Sequence, residues 1–144
     1  MSDVAQVVEA YFKDWRHPVV LAYLFGSEAK RATTPLSDVD VAVLLDEPDA
    51  ARRRETYLTI LRDLAELVRP RDVDVLLLGD ATEPLACRAI LEGLLVYAAD
   101  ERRRVHAEAG AIRQAHDTQD LDAVRHRYLK KRITERRMGQ GGST

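Results

Sequence analysis

Hydrophobic residues are arranged along this chain in two ways, as periodic positions and as apolar runs, and each arrangement predicts one kind of element. Near the N-terminus, apolar residues recur every three or four positions, which predicts an amphipathic helix over 3–15. The same period returns between Pro48-Asp49 and Pro70 and predicts a second helix there. A continuous apolar run predicts a buried strand at 19–25, and two largely apolar stretches, interrupted only by Asp40 and Asp74, predict further strands at 39–45 and 73–78.

The second half of the chain continues this alternation of helices and strands. A helix is predicted over 84–92 and is ended by Gly93, and an edge strand is predicted over 94–97. A short helix is predicted at 27–31, and one or two helices are predicted over 100–137 with a break near 117–120. This order predicts an α/β (α+β) fold in which helices pack on a small mixed sheet of three to four strands. The connection between the first two strands is too short for an ordinary parallel crossover, so we expect that pair to be antiparallel.

Composition excludes several classes of protein. With 144 residues, 46% of them hydrophobic and 32% charged, the chain is expected to form one compact domain with a tail rather than a disordered chain. The single Cys87 has no partner for an internal disulfide, and the four histidines do not show the spacing of a zinc site. With no leader pattern and no apolar run near 20 residues, a cytoplasmic location away from the membrane is expected.

Charge is distributed unevenly along the chain, although the formal net charge is only −2. Basic residues crowd one C-terminal stretch that only Glu135 opposes: Arg125, Arg127, Lys130, Lys131, Arg132, Arg136 and Arg137. Such a run is most often a solvated helix face, but it can also bind nucleic acid or an acidic partner. The sequence leaves these three alternatives open.

Three carboxylates are predicted to meet at one edge of the sheet. Asp38 and Asp40 flank Val39, and the two-residue period of a strand puts both on the same face, roughly 6.5 Å apart along the chain. Asp74 holds the equivalent position at the start of the third strand. Clustered carboxylates repel one another unless a cation lies between them, and their hard oxygen atoms suit Mg²⁺. Three carboxylates can hold two ions for in-line displacement at phosphorus, and Asp74 can also accept the proton of an attacking hydroxyl group.

A second chemical feature is Gly26-Ser27, where an apolar strand gives way to a predicted helix. Free backbone N–H groups and a hydroxyl group at such a position can bind a phosphate. The chain lacks the second glycine and the Lys-Ser/Thr pair of a P-loop, whereas Lys30 or Arg31 can neutralise triphosphate charge. A Gly-Ser turn or an Asp-x-Asp pair is common by itself, but their combination on consecutive strands is specific.

These residues carry a family resemblance. Gly26-Ser27, ten further residues and then Asp38-Val39-Asp40 resemble the Gly-Ser-x10-Asp-x-Asp motif of the DNA polymerase beta-like nucleotidyltransferase superfamily. The short length, Ser37 and the strand that carries Asp74 resemble its minimal nucleotidyltransferase (MNT) proteins, and a weaker similarity extends through 89–97. The resemblance covers roughly the first hundred residues. Residues 28–31 depart from it, because they read Glu-Ala-Lys-Arg where the family often has Arg-Ala-Arg-Gly.

The resemblance implies a function and a set of site residues. It implies a nucleotidyltransferase core over 1–100. The sequence pattern beyond that core, which no motif of the family covers, predicts a C-terminal helical extension with a basic end over 101–138 and a disordered tail over 139–144. ATP would be the substrate and two Mg²⁺ ions the cofactors, and AMP would pass to a tyrosine of a HEPN-domain ribonuclease toxin, with which the chain would form a hetero-oligomer as its antitoxin. The implied residues are Gly26, Ser27 and Lys30 for the nucleotide, and Asp38, Asp40 and Asp74 for catalysis and metal binding.

Two other functions remain open at the level of sequence. One is adenylyl transfer to a small hydroxyl compound such as an aminoglycoside, for which this family uses larger enzymes with added substrate-binding domains. The other is an antitoxin that silences its partner by binding alone. Three clustered acids without a metal would cost stability through repulsion and desolvation, which favours an enzyme over a binding module.

Overall fold

The computed structural model describes residues 3–14, 18–26, 38–81 and 83–117. Within these residues the chain forms helices and strands in an alternating order. The helices are α1 (Asp3–Lys13), α2 (Ala50–Leu67), α3 (Glu83–Glu92) and α4 (Glu101–Asp117). The strands are β1 (Val19–Phe25), β2 (Val39–Leu45), β3 (Val73–Leu77) and β4 (Leu94–Ala98).

The strands form one mixed sheet with the spatial order β3-β2-β1-β4. β1 is antiparallel to both β2 and β4, whereas β2 is parallel to β3. The helix α2 supplies the crossover that parallel neighbours need. The α/β fold class, the mixed sheet and the antiparallel first pair are therefore confirmed.

Helices cover the sheet on both sides, and the alternation of side chains along β2 shows how. Val39, Val41 and Val43 are fully buried in a cluster with α1 and α2. Ala42 and the half-buried Leu44 belong to the opposite cluster, which contains α3 and α4. Because successive side chains of a strand point to opposite faces, residue 40 lies on the side of α3 and α4.

Local signals set the bounds of α2, as the sequence predicts. The Asp49 side chain caps the helix by accepting a hydrogen bond from the Arg52 N–H at 2.9 Å. At the other end, the Val68 N–H donates to the carbonyl of Leu64 at 3.0 Å. The helix therefore delivers the chain to the start of β3, which is the end of the sheet where Asp74 lies.

Other element bounds differ from the prediction by one or two residues. The first helix ends at Lys13 rather than at 15, and the third strand ends at Leu77 rather than at 78. The fourth strand continues one residue further, to Ala98. The short helix predicted at 27–31 lies outside the described residues, as do the basic end and the tail beyond 117.

The helix α4 belongs to the packed core, although it begins the stretch that was predicted as an extension. Ala111 and Ala115 are buried beside α3, and the Cys87 thiol donates to the carbonyl of Ala111 at 3.1 Å. Glu108 is buried too, and its carboxylate is paired with Arg104 one turn earlier. The division into a 1–100 core and a 101–138 extension stays a prediction. None of the described helices combines the length and apolar character that crossing a membrane requires.

Candidate active site

Two carboxylates lie on neighbouring strands at one end of the sheet. Asp40 on β2 and Asp74 on β3 are direct partners in the parallel register. The Val39 N–H donates to the carbonyl of Asp72 at 2.8 Å, which aligns the starts of the two strands. Asp40 lies two residues before Ala42, and Asp74 lies two residues before Leu76, and both of these apolar residues belong to the cluster on the α3 and α4 side. The two acidic side chains therefore occupy that same face of the sheet.

The glycine after β1 reaches this pair from the other neighbouring strand. Phe25 is the partner of Asp40 in the antiparallel register, which puts Gly26 beside the start of β2. Gly26 has φ 69°, in the left-handed region that glycine adopts without strain. A Cβ atom built on Gly26 would lie 2.5 Å from Oδ2 of Asp40. Only a residue without a side chain lets the backbone of this turn approach the carboxylate so closely.

The electrostatics of the site centre on Asp40. This residue is half-buried, whereas Asp38 and Asp74 are exposed. Burial raises the pKa of the Asp40 carboxyl group, and the neighbouring charges of Asp74 and Asp38 raise it further. Both acidic neighbours are therefore close enough to act on Asp40, and its ionised form is unfavourable without a cation.

The raised pKa of Asp40 predicts that this carboxylate destabilises the metal-free protein. When the folded pKa lies above the unfolded one, stability falls as pH rises from the unfolded value, about 4, through the folded value. We expect Asp40→Asn to raise the melting temperature by a few degrees at pH 7 with a chelator present. Thermal unfolding followed by circular dichroism should show this gain, and the gain should shrink toward pH 4 as the wild-type carboxyl group becomes protonated.

The matched control for this prediction lies at the other end of the same strand. Asp46 follows β2 and pairs with Arg103 at 3.3 Å on the surface, so Asp46→Asn should not stabilise the protein. An Asp40→Asn protein that melts at or below the wild-type temperature at pH 7 would contradict the expected repulsion.

The donor set fits Mg²⁺ in its chemistry. Carboxylate oxygens are hard ligands, and a divalent ion beside Asp40 would offset the repulsion that raises its pKa. Across the described ranges, no group of three or more His, Cys, Asp or Glu side chains already converges on one point as a metal cage. Proteins usually hold Mg²⁺ through one or two carboxylates together with water and substrate phosphates, and Asp40 with Asp74 can supply such a pair.

The structure brings together only part of the predicted site. Gly26, Asp38, Asp40 and Asp74 lie at the same end of the sheet. Ser27 and Lys30, which were predicted to bind the nucleotide, lie outside the described residues. The roles of all six residues stay predictions.

Gly93 allows a close contact that its predicted role as a helix stop does not include. It is the single residue between α3 and β4. A Cβ atom there would collide with the Ala89 carbonyl oxygen and would lie 3.0 Å from Tyr23 Cβ and 3.1 Å from the Leu24 carbonyl oxygen. Gly93 thus lets the end of α3 lie against the last residues of β1, just before Gly26. The available signal was a helix passing to a strand through a single glycine.

Comparison with known protein families agrees with this geometry. The family model of the polymerase beta nucleotidyltransferases matches residues 6–102, which are about two thirds of the chain and include Asp38, Asp40 and Asp74. The chain belongs to this family. No curated protein matches the chain at a significant level of sequence similarity.

Solved structures share the fold. A crystal structure of a toxin–antitoxin complex with AMP-PNP is 24% identical, has a TM-score of 0.61, and covers 90% of this chain and 98% of that chain. A toxin–antitoxin structure named MntA-HepT is 23% identical, with a TM-score of 0.55 and coverage of 90% and 97%. A structure of a tri-AMPylated HEPN toxin from Shewanella oneidensis in complex with its MNT antitoxin is 24% identical, with a TM-score of 0.52 and coverage of 90% and 98%.

Proposed function

We propose that this nucleotidyltransferase transfers AMP from ATP, with Mg²⁺, to a tyrosine of a HEPN-domain ribonuclease toxin and so acts in the cytoplasm as its antitoxin. One observation carries the proposal. Asp40 and Asp74 are partners in the parallel register of β2 and β3, and the turn at Gly26 lies against Asp40. The backbone of a glycine turn can bind phosphate, and two carboxylates beside it can hold a metal ion, so this arrangement supports phosphoryl chemistry on a nucleotide.

Each residue has a distinct role in this proposal. The Gly26 turn, with Ser27 and Lys30, binds the triphosphate, and the absence of a side chain at Gly26 lets the α-phosphate approach Asp40. Asp38 and Asp40 would hold the metal, and Asp74, the register partner of Asp40 on the neighbouring strand, would contribute a further ligand. Asp74 is exposed, so it can also accept the proton of an incoming hydroxyl group. Bound Mg²⁺ would neutralise phosphate charge and steady the leaving pyrophosphate.

The acceptor and the partner are proposed from structural relatives. One similar structure contains an AMPylated HEPN toxin with its MNT antitoxin, and another contains AMP-PNP in a toxin–antitoxin complex. In both cases the structural match spans 90% of this chain and 98% of the other chain. These likenesses support a toxin partner and an adenine nucleotide for this protein.

A transfer assay tests the proposal. The purified protein is incubated with Mg²⁺, labelled ATP and the HEPN-domain protein encoded beside it, and the mass of the partner is followed. We expect the partner to gain the mass of AMP on a tyrosine and to lose its ribonuclease activity. A partner that is bound and inhibited but unlabelled would favour inhibition by binding alone, and label on an aminoglycoside instead would favour a small hydroxyl acceptor.

A further inference from the structure

The solvent-facing side of α4 carries arginines that no described carboxylate neutralises, whereas the other arginines of that helix are paired with carboxylates. We call this surface the α4 basic face, and its residues recur at helical spacing: Arg102, Val105, His106, Ala109, Arg113 and His116. The side chains of Arg102 and Arg113 form no ion pair with any described residue. The other two arginines of α4 are neutralised, because Arg103 pairs with Asp46 at 3.3 Å and Arg104 pairs with Glu101 and Glu108.

The C-terminal part of the chain, to which α4 belongs, is also basic, whereas the part before it is acidic. Residues 101–144 contain 11 Lys and Arg against 6 Asp and Glu, whereas residues 1–100 contain 11 against 18. The α4 basic face is therefore the described part of a cationic region attached to an acidic body. Such a region attracts a partner of opposite charge and speeds its association.

The composition of the face favours a protein over a nucleic acid. Val105 is 52% exposed and lies one turn beyond Arg102, at one edge of the face. An exposed apolar residue beside an arginine is typical of protein interfaces, where arginine is enriched. Arg102 and Arg113 lie about 16 Å apart along the helix, which allows few contacts to a phosphate backbone.

The position of α4 relates this face to the active site. α4 packs on the side of the sheet that carries Asp40 and Asp74, and the pair Arg103 and Asp46 ties it to the far end of β2. A stable interface needs about 20–30 residues from each partner, several times more than this face offers. Leu44 of β2 and Leu76 of β3 are half-buried on the same side of the sheet, and their exposed parts add some apolar surface there.

We infer that the α4 basic face docks an acidic surface of the protein whose hydroxyl group the active site modifies. The inference rests on the proposed function for the identity of that partner. A partner seated on α4 and extending across β2 would bring an acceptor side chain over Asp40 and Asp74 without a separate substrate-binding domain.

The test compares two double charge reversals on opposite sides of the sheet. Arg102→Glu, Arg113→Glu changes the α4 basic face. The matched control is Arg54→Glu, Arg62→Glu on α2, whose arginines are likewise exposed and form no ion pair with a described residue. The dissociation constant for the HEPN-domain protein is measured by calorimetry at low and high salt, and AMP transfer is measured separately at saturating partner.

We expect the α4 variant to bind at least about tenfold more weakly with a flatter salt dependence, while its transfer rate at saturation stays within about twofold of wild type. The α2 variant should bind like wild type. The inference is overturned if the α4 variant binds normally, if both variants weaken alike, or if wild type does not bind at all. Binding of a single-stranded RNA of about 20 nucleotides is measured in parallel, and the inference is also overturned if the α4 variant loses affinity for this RNA and not for the HEPN-domain protein. Binding without transfer in wild type would instead refute the proposed activity, and the docking result would still be readable from the dissociation constants.

Discussion

The double variant Asp38→Ala, Asp40→Ala is expected to fold and to lose nucleotidyl transfer by at least about a thousandfold. The two carboxylates are the proposed metal ligands, and the electrostatic stabilisation that such ligands organise is worth several kcal/mol in the transition state. Steady-state transfer of label from ATP to the partner measures the loss. Thermal unfolding of the same protein should show no destabilisation, because the substitutions remove charges that repel one another.

The control for this variant removes a single carboxylate charge at the opposite end of the same strand. Asp46→Asn lies at the opposite end of β2 and should transfer AMP within about twofold of wild type, since an exposed surface pair contributes little. Transfer that survives in the double alanine variant would remove Asp38 and Asp40 from the catalytic machinery.

The second large effect is expected from Gly26→Ala. The new Cβ atom would lie 2.5 Å from Oδ2 of Asp40, and φ 69° is a backbone conformation that alanine adopts at a cost of about 1–2 kcal/mol. Either the turn or the Asp40 carboxylate must move. A displacement of about 1 Å in a catalytic group can cost a hundredfold in rate, so we expect a loss of that order in kcat/KM.

Gly79→Ala is the matched control for this glycine. A Cβ atom at Gly79 would meet no atom within 4 Å, and its substitution should leave both transfer and melting temperature nearly unchanged. A Gly26→Ala protein that is merely less stable but transfers AMP at the wild-type rate would show that the close approach to Asp40 is structural and not needed for chemistry.

The arrangement of the site could be predicted in part. The two-residue period of a strand places Asp38 and Asp40 on one face. Asp74 precedes an apolar run in the third strand, as Asp40 does in the second, so its position at the start of that strand could also be predicted. The direct pairing of Asp40 with Asp74 could not be predicted, because it depends on the register that α2 and the Asp72 carbonyl set between two separate strands. Ser27 and Lys30 stay predictions because they lie outside the described residues.

Local pattern and tertiary structure thus determined different properties of this protein. Helix and strand positions, the antiparallel first pair and the family motif depend on residues close in the chain, so the sequence alone determined them. Only the folded structure decided that Gly26 lies against Asp40 and that Gly93 lets the end of α3 pack against β1. It also decided that α4 belongs to the core and has a cationic face toward solvent. These features depend on how separate elements pack, and the free energy of packing comes from contacts between residues distant in sequence.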